Sequence, residues 1–190
     1  MRNRITSLVL VGVFSLLLSF GHPVQAQTNT IAVSDASATI EAQESSVNFR
    51  NTKVYRLKKL AIKRVLTRYE SPLLGEVDSF MDACYINNLD CYLVPSIAGI
   101  ESTFGKRIAP NTYNPFGWGG GYMPFATWDE AIKTVSSGLR ENYIGRGATT
   151  VTQIGRIYAP PSSTWAGNVK KLMTTFQREE DKMNGYFEVL

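Results

Sequence analysis

Histidine is nearly absent from these 190 residues: the one copy, His22, falls within the first 26, and the rest of the chain has none. Nucleophile systems that rely on an imidazole base are thereby excluded, and so are the common zinc sites, which need His or at least three Cys. There are only two cysteines, Cys84 and Cys91, and acidic and basic residues nearly balance, at 16 against 20. With Arg2 and Arg4 set apart, the formal net charge of +4 falls to +2, so composition gives no indication of nucleic-acid binding. Long apolar runs are also lacking. The uncharged apolar run from Ile5 to Phe20 is too short for a bilayer span of about 20 residues. The chemical groups that remain are carboxylates, tyrosines, lysines and hydroxyls. No metal and no cofactor is expected.

What is present begins with two arginines, that apolar run, and Val24-Gln25-Ala26 before Gln27, the form of a secretory signal peptide over residues 1–26. An uncleaved anchor is the alternative, and export follows from either. The expected location is secreted or in the cell envelope. In an oxidising compartment Cys84 and Cys91 are read as a disulfide closing a small loop across Asn87-Asn88, with two buried thiols as the alternative. Nothing about their spacing suggests redox chemistry. Residues 27–50 are rich in Ser, Thr, Ala, Gln and Asn and read as a flexible linker. The remaining 51–190 is enough for a single domain with its own core, expected to be monomeric.

From Lys53 the apolar positions Val54, Leu57, Ala61, Val65 and Leu66 recur at helical spacing, with Lys53, Arg56, Lys58, Lys59, Lys63, Arg64 and Arg68 on the other faces. Either a solvated face or an attraction to an acidic polymer fits this charge. Pro72 opens a second helix that buries Val77, Phe80, Met81 and Cys84 and runs to Asn87-Asn88. A third helix spans about Tyr92 to Ser102, and a Gly-, Pro- and Asn-rich loop runs on to Pro124. Thr127-Trp128-Asp129-Glu130 and Thr150-Val151-Thr152-Gln153 each have the form of a capping box, and Trp165, Val169, Leu172, Met173 and Phe176 form the stripe of a last helix. The fold class is mainly α, with room for a short β-hairpin only in the Gly-rich loop. A loop of that length inside a compact domain tends to be functional.

Glu101 continues the apolar stripe of Leu93, Val94, Ile97 and Ala98 and lies near a helix C-terminus. Desolvation and the negative end of the helix dipole both raise a carboxyl pKa there, as a general acid working near neutral pH requires. The ordinary alternative is a Glu paired with Lys106 or Arg107. The run Ile97-Ala98-Gly99-Ile100-Glu101-Ser102-Thr103-Phe104-Gly105-Lys106, then Tyr113-Asn114-Pro115-Phe116-Gly117-Trp118, resembles the glucosaminidase branch of the lysozyme-like superfamily, the mannosyl-glycoprotein endo-β-N-acetylglucosaminidase-like domain of peptidoglycan hydrolases. Phe125, Trp128 and Ala131, and then Tyr158-Ala159 with Trp165, extend the likeness over about residues 75 to 176.

This resemblance implies a lysozyme-like helical domain with a Gly- and aromatic-rich cleft loop, cleaving β-1,4 bonds at N-acetylglucosamine in bacterial peptidoglycan, with Glu101 as acid assisted by Tyr158. Ser102, Tyr113, Asn114, Phe116, Trp118, Tyr122 and Trp165 are the expected substrate-binding residues, their rings offering flat faces to pyranoses and Asn114 a hydrogen bond to an N-acetyl group or hydroxyl. The chain departs from the family pattern at Thr103, where Gly is usual, a change tolerated if the position stays helical or extended. Pro-Pro-Ser-Ser after Ala159 stands where the family sometimes has an acidic residue, which is missing here. Asp129, Glu130 and Glu141 are the candidate second carboxylates, and each also has a structural reading, which favours a mechanism with one protein carboxylate. A lytic transglycosylase, and a wall-binding or assembly module without chemistry, are the competing expectations.

Overall fold

The computed structural model describes residues 50–188; the expected signal peptide and almost all of the expected linker lie outside them. The described chain is mainly helical, with α1 Lys53–Arg68, α2 Val77–Ile86, α3 Leu93–Ser102, α4 Trp128–Gly138, α5 Val151–Tyr158 and α6 Trp165–Glu188. Among the described residues there is no strand and no helix long and apolar enough to cross a membrane. The room left for a hairpin in the Gly-rich loop is therefore not used. A single backbone bond, Phe125 N–H to Thr112 O at 2.8 Å, closes the loop instead.

Helix starts follow local hydrogen-bond chemistry. Thr52 caps α1 by accepting from Tyr55 N–H, and Ser71 caps a 3₁₀ turn, Pro72–Glu76, that leads into α2. The box at Thr150 is complete, Gln153 answering the cap through its side chain. At Thr127 it is only half formed. Thr127 Oγ1 accepts from Glu130 N–H, but the Glu130 carboxylate reaches one residue further back, to Ala126 N–H at 2.6 Å.

The long helix α6 packs against α1, α3 and α5, while α2 packs against α1 and α4. Ile62 and Leu66 of α1, Phe80 and Met81 of α2, Ile97 of α3, Ile132 of α4 and Phe176 of α6 are fully buried where these faces meet. In α1 the stripe read from the sequence shifts slightly: Val54 is exposed, and Tyr55 and Ile62 are buried beside Leu57, Ala61, Val65 and Leu66. The basic face of α1 is not simply solvated. Lys58 pairs with Glu180 at 3.0 Å, Arg68 with Glu179 at 2.7 Å, and Lys59 with Asp78 of α2. Glu179 and Glu180 are buried, so Lys58 and Arg68 compensate charges that α6 carries into the interface. Arg68 holds the Glu179 carboxyl below its usual range.

Cys84 and Cys91 form the expected disulfide, joining the end of α2 to the turn before α3. It closes a loop of sequence separation seven. Loop-closure entropy for so short a loop predicts that replacing both cysteines by alanine lowers stability by about 2.5 kcal/mol, measured by denaturant unfolding. An unchanged midpoint would show that helix packing alone fixes this turn.

Candidate active site

The site is built on the end of α3. Leu93, Val94, Ile97 and Ala98 are buried, and the next position on their stripe is Glu101, half-buried. The helix stops because Thr103, Phe104 and Gly105 are successively left-handed, at φ 54°, 57° and 83°. Thr103 therefore does not keep helical or extended dihedrals. It takes the left-handed conformation that favours glycine, at a strain of about 1–2 kcal/mol. Phe104 offsets this: its ring is 1% exposed, sits 4.6 Å from Tyr69 and meets Phe176 edge-on at 6.2 Å.

Two buried side chains tie the Gly-rich loop to this helix end. Ser102 Oγ lies 2.7 Å from Pro115 O and 3.0 Å from Ala98 O, and it accepts from Gly105 N–H. Asn114 Nδ2 donates to the carbonyls of Trp118 and Met123, while its Oδ1 accepts from the N–H groups of Phe116 and Trp118. The amide does the work of a strand ladder in a segment too rich in glycine to form one. Both residues were expected to bind substrate. The structure commits Asn114's amide and Ser102's hydroxyl to the loop itself.

Glu101 meets neither Lys106 nor Arg107. Its Oε1 accepts from Trp165 Nε1–H at 2.6 Å, a bond joining the C-terminal turn of α3 to the first residue of α6. Indole is a donor only, so when the carboxyl is protonated the proton resides on Oε2. Oε2 lies beside Gly117, where a Cβ would come within 3.1 Å of it. Gly117 has φ 65°, so glycine both permits the turn and leaves the oxygen clear. Burial raises the Glu101 pKa, and the indole bond opposes it by stabilising the charged form.

Trp165 is itself held by Tyr158, whose ring stacks on it at 5.1 Å. The Tyr158 hydroxyl donates to Phe116 O at 2.7 Å, and burial with the nearby Glu101 charge pushes its pKa well up, so it stays a neutral donor. Tyr158 thus bonds to and stacks on the residues that hold Glu101, within reach of its charge. Trp118 and Tyr143 complete the cluster, 5.9 and 6.0 Å from the Tyr158 ring. Tyr143 arrives there through a π turn, Leu139–Tyr143, that continues α4. The Trp118 ring lies on Gly138, where a Cβ would clash at 2.6 Å. Neither Tyr143 nor Gly138 was singled out from the sequence. The cue for Tyr143 was its place at the end of an amphipathic helix, which carries no sign of a π turn.

Glu101 opens into a pocket of about 300 Å³ that Ser102, Arg107, Asn114, Gly117 and Tyr122 also line. Of the rings expected to face substrate, Tyr122 is open at its edge, 82% exposed. Phe116 is a correction: it is fully buried and presents no face to a ligand. Trp165, 4% exposed, serves as Glu101's hydrogen-bond donor. Trp118 is half-buried behind the pocket, and Tyr113 stands apart from it, edge-on to Trp128 at 5.0 Å. Asp129 is paired with Lys133 at 2.7 Å, which lowers its pKa; Glu130 holds the start of α4; and Glu141 is exposed on the π turn. Among the described residues Glu101 is the one carboxylate lining the pocket, and no group of three or more His, Cys, Asp or Glu is placed to hold a metal.

No protein-family model matches the chain, and no curated protein matches it.

The carboxyl of Glu101 has a raised pKa in the fold, so the folded protein binds its proton more tightly than the unfolded chain does. Below the ordinary value of 4.5 both states are protonated and no penalty exists. The penalty grows as pH rises through the folded-state pKa and is complete above it. Glu101→Gln keeps an oxygen for the indole bond and removes the charge. Thermal unfolding is expected to show this variant melting above the wild type at neutral pH, with the gap closing at about pH 4. A variant less stable at every pH would contradict this.

Proposed function

We propose that the chain is an extracytoplasmic glycosidase of lysozyme-like fold that cleaves β-1,4 bonds at N-acetylglucosamine in peptidoglycan. The observation that carries this reading is Glu101: a half-buried carboxyl with a raised pKa that lines an open pocket, one oxygen fixed by Trp165 and the other beside Gly117 of the same lining. A binding module gains nothing from a desolvated acid that destabilises its fold, whereas a general acid requires one. The resemblance around Glu101-Ser102 and Asn114-Pro115-Phe116-Gly117 supports the same class, and the disulfide is consistent with an oxidising compartment.

With Glu101 the one carboxylate among the described residues that line the pocket, the substrate's own acetamido group supplies the nucleophile. Protonated Oε2 gives its proton to the glycosidic oxygen as the C1–O bond breaks, and the acetamido carbonyl oxygen bonds to C1. Water then attacks C1, the C1–O bond to the acetamido group breaks, and Glu101 takes the water's proton, which restores the acid. Trp165 keeps the proton on the oxygen that faces the glycan, and Tyr158 positions Trp165 and the backbone of Phe116. The same single acid also serves a lytic transglycosylase, in which a hydroxyl of the muramoyl sugar replaces water and an anhydro end results.

Purified protein incubated with peptidoglycan is expected to produce new reducing N-acetylglucosamine ends, identified by mass spectrometry. Glu101→Gln is expected to lower their release by about 10²–10⁴-fold while retaining glycan binding. Anhydro-muramoyl ends would assign a transglycosylase instead. Absence of any cleavage by the wild type, with binding intact, would leave the wall-binding module.

A further inference from the structure

We propose that Arg107 selects a glycan that carries carboxylates over a neutral one, an assignment that rests on the glycan-cleaving reading above. In the sequence, Arg107 and Lys106 are the ordinary partners for Glu101. The structure separates them. The Glu101 carboxylate is bonded to the Trp165 indole, and its electrostatic environment is set by burial and that bond. Arg107 nonetheless lines the same pocket. Its backbone is fixed, Arg107 N–H donating to Ser102 O at 2.9 Å, and Ser102 is itself clasped to the loop. Its side chain is exposed, and no ion pair among the described residues involves it.

The pocket therefore holds one acid and one cation that do not neutralise each other. A guanidinium binds a carboxylate through two parallel N–H···O bonds, a match that the hydroxyls and acetamides of a neutral sugar do not offer. The same pocket is lined by Gly120 and Gly121, where a Cβ would meet nothing within 4 Å. That open space accommodates a substituent branching from a sugar ring. Peptidoglycan supplies both features, since its muramoyl sugars carry a lactyl side arm that ends either in a free carboxylate or in a peptide with carboxylates of its own. A chitin-type oligomer has neither.

The test measures binding to Glu101→Gln protein, which leaves the ligand intact, by calorimetry with three tetrasaccharides: neutral N-acetylglucosamine oligomer, peptide-free muramoyl glycan with lactyl carboxylates, and the peptide-bearing form. The preference for a carboxylate-bearing glycan over the neutral one is expected to fall about tenfold when Arg107→Gln is added, and its salt dependence to weaken. Arg107→Lys is expected to keep part of the preference, because it retains the charge without the fork. Whichever of the two anionic glycans shows the Arg107-dependent loss identifies the source of the carboxylate. An unchanged preference in Arg107→Gln, equal binding of neutral and anionic glycans before the change, or no binding of any of the three would overturn the proposal. Selective binding without cleavage by the wild type would sink the hydrolase and leave Arg107's role standing; cleavage without Arg107-dependent preference would do the reverse.

Discussion

The hydrogen bond from Trp165 Nε1–H to Glu101 is the contact on which the arrangement of this molecule turns. A carboxylate on the apolar stripe of a helix is penalised by lost solvation, and a helix C-terminus offers it no backbone N–H in return. A neutral donor from another helix satisfies one oxygen without cancelling the charge. A lysine or arginine in the same place would hold the carboxylate ionised and depress its pKa. An indole leaves the balance with burial, so the pKa is raised. The same bond fixes α6 against α3, and the stacking of Tyr158 on Trp165 carries the constraint to α5.

The Gly-rich loop depends on that frame from its other side. Ser102 sits next to Glu101 in sequence and is buried beneath Pro115, so the residue that terminates the helix also anchors the loop. Asn114 satisfies four backbone groups between Phe116 and Met123, which gives the loop a fixed path without strands. Gly117 then brings backbone, and no side chain, against Oε2. Polar side chains with free hydrogen-bond capacity are not what shapes this pocket. Its form comes from side chains fully engaged in holding the backbone away from the acid.

Much of the fold was legible in the sequence because it rests on periodicity and caps. The stripes on α2, α3 and α6, the caps at Thr127 and Thr150 and the pairing of Cys84 with Cys91 are local patterns, and the structure contains them. Glu101's desolvation was equally readable, as the next position on an apolar stripe. What the sequence did not disclose depends on contacts between distant segments. Trp165 was legible as a core position on the apolar stripe of α6, with the resemblance adding a ring near the cleft, yet neither reading disclosed that its donor meets Glu101 from 64 positions away. Phe116 and Asn114 sit in a loop whose composition suggests exposure, but a loop folded back on a helix end buries its largest apolar ring and its amide. Thr103's left-handed backbone accompanies the burial of Phe104, which no local preference of threonine anticipates. Arg107 is uncommitted because Trp165 took the place of a cation.

The central claim is that burial gives Glu101 a proton affinity above that of an ordinary glutamate and that the Trp165 indole moderates it. Carbon-13 NMR titration of the side-chain carboxyls, with Glu101→Gln to assign the resonance, measures this directly in the wild type and in Trp165→Phe. Glu101 is expected to titrate above the ordinary glutamate value of 4.5, and higher still once the indole donor is gone. A wild-type Glu101 that titrates at or below that value, or one whose pKa falls in Trp165→Phe, would contradict the claim.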